Sequence, residues 1–219
     1  SSSFNNLTLN DGLVGYWNLD ETSGTNADDG SGYDYDGTHV DTPTISTDLP
    51  SLNFSNSRSV SFNGTSEYID IGVKPFLNTE FSDKLTLSLW MKPTTLSGFH
   101  AVLSKSYDTN HSNPFYVWTL FQIGDTICLR VDTSNTCSTS VLTTGWQHVT
   151  AVYNGTDLRV YRNGTLVNTP LAKTGNVQSS AQSARIAARD TPGAGLSEFY
   201  GGLVDDVRIY RRALSSTEV

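Results

Sequence analysis

Apolar residues in this chain recur at every second position, in short runs broken by turn formers, and that period leaves little room for anything but β-structure. The runs include Val60-Ser61-Phe62, Tyr68-Ile69-Asp70-Ile71, Leu85 to Met91 and Val117 to Phe121. His148 to Tyr153, Leu158-Arg159-Val160-Tyr161 and Val207-Arg208-Ile209-Tyr210 continue the pattern. Successive side chains of a strand point to opposite faces, so each run can bury one face and leave the other wet. Asn-Gly stands just after such a run at Asn63-Gly64, Asn154-Gly155 and Asn163-Gly164. The pair suits the positive φ angles of tight turns, so the chain is expected to reverse at each. No helical stripe exceeds one turn outside the tail Ser215 to Val219. The pattern predicts an all-β, antiparallel sandwich.

Length and charge narrow the class. A chain of 219 residues suits one large all-β domain, with enough core to fold without a disulfide framework. The formal net charge is −8 and the 14 Lys and Arg residues are scattered, which speaks against nucleic acid as a partner. Charged residues make up only 16%, and 18 Gly against one Met is the balance of an extracellular β-protein. No stretch approaches 18 apolar residues, so membrane insertion by a helix is not expected. Residues 1–11 read as a polar linker and residues 12–219 as a single domain, the arrangement of a module in a larger protein. Residues 22–57 are rich in Gly, Asp and Ser with few strand signals, so something other than strand pairing is expected to hold them.

Cys128 and Cys137 flank the turn formers Asp132, Thr133, Ser134 and Asn135. If this segment folds as a hairpin, the two sulfurs face each other and a disulfide places the protein outside the cytosol. Two reduced packing cysteines are the alternative. A bridge closing so short a loop adds about 2–3 kcal/mol.

A set of motifs in fixed order then carries a resemblance. Gly12-Leu13-Val14-Gly15-Tyr16-Trp17-Asn18-Leu19-Asp20-Glu21 is followed by Ser23-Gly24, Asp29-Gly30-Ser31-Gly32 and the run Tyr33 to Gly37. Val60 to Ile69, Trp90-Met91-Lys92-Pro93, Gly145-Trp146-Gln147-His148-Val149 and Tyr161-Arg162-Asn163-Gly164 come next. The close is Gly202-Leu203-Val204-Asp205-Asp206-Val207-Arg208-Ile209-Tyr210, then Ala213-Leu214-Ser215. From about residue 12 to the end the chain resembles the laminin-G-like, concanavalin A-like jelly-roll domains, which are related to the pentraxins. The resemblance implies a jelly-roll sandwich. Its members include carbohydrate-binding modules, adhesins, receptor ectodomains and appendages of glycoside hydrolases, so it does not by itself fix a function.

It also implies a metal. Members commonly tie the early loop to the last strand through a metal ion, which carries over to Asp20, Asp29 and Asp205, with Asp28 and Asp206 as second choices. Calcium takes six to eight oxygen ligands at flexible geometry, and carboxylates with glycine-freed carbonyls supply them. Asp205 shares strand parity with Leu203, Val207 and Ile209, so its carboxylate is expected to point inward and to need a cation or strong donors. Alternatively these acids cap turns or pair with Arg58, Arg159 or Arg208. No EF-hand spacing is present.

Sugars bind by stacking on aromatic rings while amides and carboxylates read their hydroxyls. Tyr107, Asn110, His111 and Tyr116 lie in a segment of that character, and Tyr33 and Tyr35 in a second. Trp17, Trp90, Trp118 and Trp146 stand in or beside strand runs and read as packing residues. Catalysis is not expected. Glycosidases of this fold carry E-x-D-x-x-E on one strand, and Glu67 with Asp70 lacks the third acid. Lyases of this fold use Gln-x-His, and Gln122-Ile123-Gly124 lacks the histidine. No Gly-x-Ser-x-Gly elbow occurs. Sequons fall at Asn6, Asn53, Asn63, Asn110, Asn154 and Asn163, three of them simply the Asn-Gly turns followed by Thr.

The sequence therefore predicts a non-catalytic, calcium-stabilised module of a secreted or cell-surface protein that binds a glycan or polysaccharide. The alternative is a protein-binding adhesion or structural module without a sugar site.

Overall fold

The computed structural model describes residues 8–75, 83–107, 115–191 and 195–219. Nineteen strands occur among them. The first six are β1 (Leu13–Trp17), β2 (Asn26–Ala27), β3 (Gly37–Val40), β4 (Thr44–Ser46), β5 (Ser59–Asn63) and β6 (Tyr68–Gly72). Then come β7 (Leu85–Pro93), β8 (Phe99–Ser106), β9 (Tyr116–Ile123), β10 (Thr126–Val131), β11 (Ser134–Cys137), β12 (Gln147–Tyr153) and β13 (Asp157–Arg162). The last six are β14 (Thr165–Leu166), β15 (Leu171–Ala172), β16 (Ala184–Ile186), β17 (Arg189–Thr191), β18 (Gly195–Ser197) and β19 (Gly201–Tyr210).

They form two antiparallel sheets, face to face in a jelly roll. One sheet runs β14-β13-β12-β7-β19-β5-β4, with β1 beside β19 and β15 beside β13. The other runs β11-β10-β9-β8-β16-β6-β3-β2, and β17 and β18 form a separate hairpin. Between the sheets, Leu85, Leu87, Leu89 and Met91 of β7 meet Leu103, Trp118, Leu120 and Leu129 of the opposite layer in one continuous core. The alternation in the sequence is thus the alternation of core and outer faces. Trp17 and Trp118 are fully buried, as expected of packing residues, whereas Trp90 and Trp146 lie half-buried on the outer side.

Two expectations about the chain path change. Asn163 and Gly164, at φ 48° and 75°, turn β13 into β14 as a hairpin, but Asn63-Gly64 carries the chain from one sheet to the other. The stretch 22–57 is also held by strand pairing, because β2, β3 and β4 all fall inside it. These strands of two to four residues, two of them at sheet edges, are too short and too polar for a period to register.

Gly202 marks the tightest point of the central strands. Its φ is +144°, and a Cβ there would collide with the Lys92 carbonyl oxygen while lying 2.9 Å from Tyr200 Oη and 3.0 Å from Pro93 Cα. Gly202→Ala is therefore expected to destabilise the fold by ~3 kcal/mol or more, read as a lower urea midpoint at unchanged m. A midpoint within error of the parent protein would contradict the packing of β19 on β7.

Candidate functional site

The predicted metal residues cluster at one place, where β1 and β5 both pair with β19 along different halves of it. Gly201 to Val204 face β5, while Val207 to Tyr210 face β1. Between the halves the register of β19 against β7 shifts, and Asp206 takes φ +53°. This bulge corrects the parity expected from the sequence. Val204 and Val207 both join the core, which residues three apart on an unbroken strand cannot do. Asp205 therefore points away from the core, on the side of its cross-strand partner Trp90.

It is buried nonetheless, at 0% exposure. Asn56 Nδ2 donates to Oδ2 at 2.7 Å, and Oδ1 has no hydrogen-bond partner. Burial pushes the Asp205 carboxyl up to about 7; the Asn56 bond opposes the rise, and the charges of Asp206 and Asp20 add to it. Asp206 bonds Arg208 at 2.9 Å, and burial outweighs that cation in raising its pKa.

The other three acids are occupied differently. Asp20 Oδ1 accepts the Ser57 and Arg58 amides at 2.7 and 2.9 Å and the Ser57 hydroxyl at 2.9 Å, which fastens the segment before β5 to the loop after β1. Asp29 accepts from the amides of Tyr16, Ser31 and Tyr35 at 2.8–2.9 Å and from the Ser31 hydroxyl at 2.7 Å. Both its oxygens are committed to the loop, so it acts as a turn anchor. These bonds give Asp29 an anchoring role that needs no metal. Asp28 is exposed and accepts from Asn26. Asp20, Glu21, Asp28 and Asp29, with Asn18 and Gly30, line a cavity of about 310 Å³. Among the described residues no three Asp, Glu, His or Cys side chains group closely enough to cage a metal alone. An orphaned, buried carboxylate oxygen coupled to a second carboxylate suits a hard cation, with main-chain and amide oxygens completing its shell.

The predicted sugar residues are dispersed. Asn110 and His111 lie outside the described residues. Tyr116 is 3% exposed, donates its hydroxyl to the Asp190 carbonyl at 3.0 Å, and has the Arg189 and Arg130 guanidinia 4.7 and 5.6 Å from its ring centre. Tyr35 is 7% exposed, with its ring 5.6 Å from that of Tyr33, which packs half-buried against the core. These burials correct the expectation that Tyr35 and Tyr116 offer open stacking faces. Tyr107, directly after β8, also packs half-buried against the core, and its ring rims an open cleft of about 550 Å³.

That cleft is polar. Asp132 and Ser134, at the β10–β11 turn, line it together with Lys173, Asn176 and Gln178. Lys173 Nζ pairs with Asp132 Oδ2 at 3.1 Å and lies 4.8 Å from the centre of the Tyr153 ring. The Gln178 amide donates to Asp132 Oδ1 at 3.2 Å. Cross-strand Cys128 and Cys137 form a disulfide in the same hairpin, as the sequence predicts. Lys173, Asn176 and Gln178 escape sequence reading because they sit in a segment without pattern, brought to the hairpin only by the packing of the two sheets.

Fold and sequence together define the class. Residues 63–219 match the concanavalin A-like lectin/glucanases superfamily, and the chain belongs to it. No curated protein matches the sequence. Among solved structures it is similar to domain 4 of AbnA, an extracellular arabinanase of glycoside hydrolase family 43 from Geobacillus stearothermophilus, in complex with arabinotriose. The TM-score is 0.67 at 16% identity, over 94% of this chain and 95% of that one. It is also similar to a botulinum neurotoxin type C chain, a toxin whose cell entry depends on interaction with two ganglioside molecules, at TM-score 0.63, 14% identity and 95% coverage. A third is the botulinum neurotoxin DC binding domain in complex with rat synaptotagmin II, at TM-score 0.62, 12% identity and 96% coverage. This chain spans about half of each toxin chain.

Proposed function

We propose that this chain is a non-catalytic carbohydrate-binding module of a secreted or cell-surface protein, and that the glycan lies in the cleft rimmed by Tyr107. One observation carries the reading. The cleft combines an aromatic rim with a carboxylate, an ammonium, hydroxyls and two amides, the mixture that reads sugar hydroxyls. The Asp132–Lys173 pair is neutral as a unit, so the cleft suits an uncharged oligosaccharide. The arabinanase domain, matched over 95% of its length and bound to arabinotriose, supports the reading, and its extracellular origin and the cross-strand disulfide support the location.

Calcium is proposed as a structural cofactor, held by Asp205 and Asp20. Its double charge would satisfy the orphaned Asp205 oxygen and offset the mutual repulsion of the acids around it. By joining β19 to the segment that Asp20 fastens, it would close the gap between β1 and β5.

A glycan array with affinity electrophoresis tests the binding reading. The protein is expected to be retarded by at least one polysaccharide, and Tyr107→Ala and Asn176→Ala each to weaken that binding ~10-fold, with the exposed Asn176→Ala keeping the parent melting temperature. Unchanged mobility in every polysaccharide, with retention on a cell-surface protein instead, would favour the protein-binding alternative.

A further inference from the structure

A second depression, of about 430 Å³, lies on the outer face of the β7–β12–β19 sheet. Volumes of roughly 300–1,000 Å³ are usual for small-molecule sites. Trp90 and His148, cross-strand neighbours with ring centres 5.3 Å apart, line it from β7 and β12. His148 Nε2 is hydrogen-bonded with the Ser88 hydroxyl at 2.9 Å, which fixes the ring. Asp206 and Arg208 contribute from β19, bonded to each other at 2.9 Å. Phe54 and Asn163 also line it.

Phe54 is 49% exposed although its ring lies 5.8 Å from the Arg208 guanidinium. An aromatic ring held open at the edge of a concavity gains most from a partner that covers its face. Its position is not left to a loose loop. Two residues on, Asn56 bonds Asp205, and the Ser57 and Arg58 amides bond Asp20. The charges also select. Asp206 and Arg208 cancel, and His148 is uncharged at neutral pH, because burial and then the Arg208 charge hold its pKa down to about 4. Such a lining offers aromatic surface, amides and a closed ion pair, but no net charge for an anion or a cation.

We infer that this depression is a second carbohydrate site that takes a neutral pyranose ring, stacked on Phe54 beside Trp90 with its hydroxyls read by Asp206, Arg208 and Asn163. The inference rests on the carbohydrate-binding reading above and adds a site well separated from the Tyr107 cleft. Two sites on one rigid sandwich let a single module bridge two strands of a polysaccharide, and the second contact then forms at high effective concentration.

Nuclear magnetic resonance separates the two sites. Methyl pyranosides of glucose, galactose and mannose are titrated in turn while the Trp90 indole N–H and the His148 ring signals are followed. At least one sugar is expected to move both signals saturably. The shift should persist in Tyr107→Ala and weaken ~10-fold in Phe54→Ala, a substitution at an exposed position that leaves the core intact. If sugars bind at Tyr107 but never move Trp90, the second site is overturned while the first stands. A Trp90 shift that survives Phe54→Ala unchanged, or vanishes with Tyr107→Ala, also overturns it. If no signal in either site responds, the second site falls together with the reading it rests on.

Discussion

Asp205→Asn is expected to stabilise the calcium-free protein at pH 8 by up to ~4 kcal/mol and to abolish its response to calcium. The ordinary carboxyl value is 3.8, and burial raises that of Asp205 to about 7 in the fold. That gap corresponds to ~4 kcal/mol between the protonated and ionised forms. Because the folded value is the higher one, the folded chain keeps a proton that the unfolded chain has released between those limits. Stability is therefore fully present below the unfolded value and is lost as pH rises through 7. In chelator the parent protein should lose about 1–1.5 kcal/mol between pH 6 and 8 from this group, or roughly 3–5 °C in melting temperature. The asparagine variant should lose none of it. Added calcium should flatten the parent curve, since it favours the ionised form, and should do nothing for the variant. Differential scanning calorimetry at the two pH values, with and without calcium, reads all four conditions. A variant less stable than its parent in chelator at pH 8 would mean that the buried carboxylate is already compensated by groups within the chain.

The second large effect is at Asp29, and it has the opposite character. Asp29→Ala is expected to cost ~3–5 kcal/mol in the presence of chelator, because four donors lose their acceptor at once. Asn keeps one acceptor oxygen, so Asp29→Asn should cost about half as much. Urea unfolding in chelator measures both. If Asp29→Ala matched its parent there and fell behind only when calcium was added, the carboxylate would be a metal ligand and its hydrogen bonds to the loop would count for little.

These two aspartates show where sequence reading reaches and where it stops. The long strands were legible because β7 and β13 alternate core-facing apolar residues with other residues in the sequence, although β7 and β12 are buried along most of both faces. β8 is buried on both faces from Ala101 on, so polar residues such as Ser104, Lys105 and Ser106 occupy interior positions and blur the period. Family motifs led to Asp20, Asp29 and Asp205, but the bulge at Asp206 reverses strand parity by a backbone change that alternation cannot register. Four oxygen-directed hydrogen bonds make Asp29 an anchor, and no spacing rule distinguishes such a residue from a ligand. The aromatic sites inverted for a similar reason. Tyr35 and Tyr116 stand in polar segments yet are covered by their neighbours, while Trp90 stands in a strand yet faces outward. Which face a ring occupies depends on register, and register depends on partners far away in the chain.

The central claim is that the cleft between the β10–β11 turn and residues 173–178 holds the glycan. A crystal structure of the protein with the tightest oligosaccharide from the array tests it most directly. Density for a sugar ring against Tyr107, with hydroxyls within hydrogen-bond distance of Asp132 or Lys173, is the expected result. An ordered oligosaccharide bound elsewhere, with that cleft filled only by water, would contradict it.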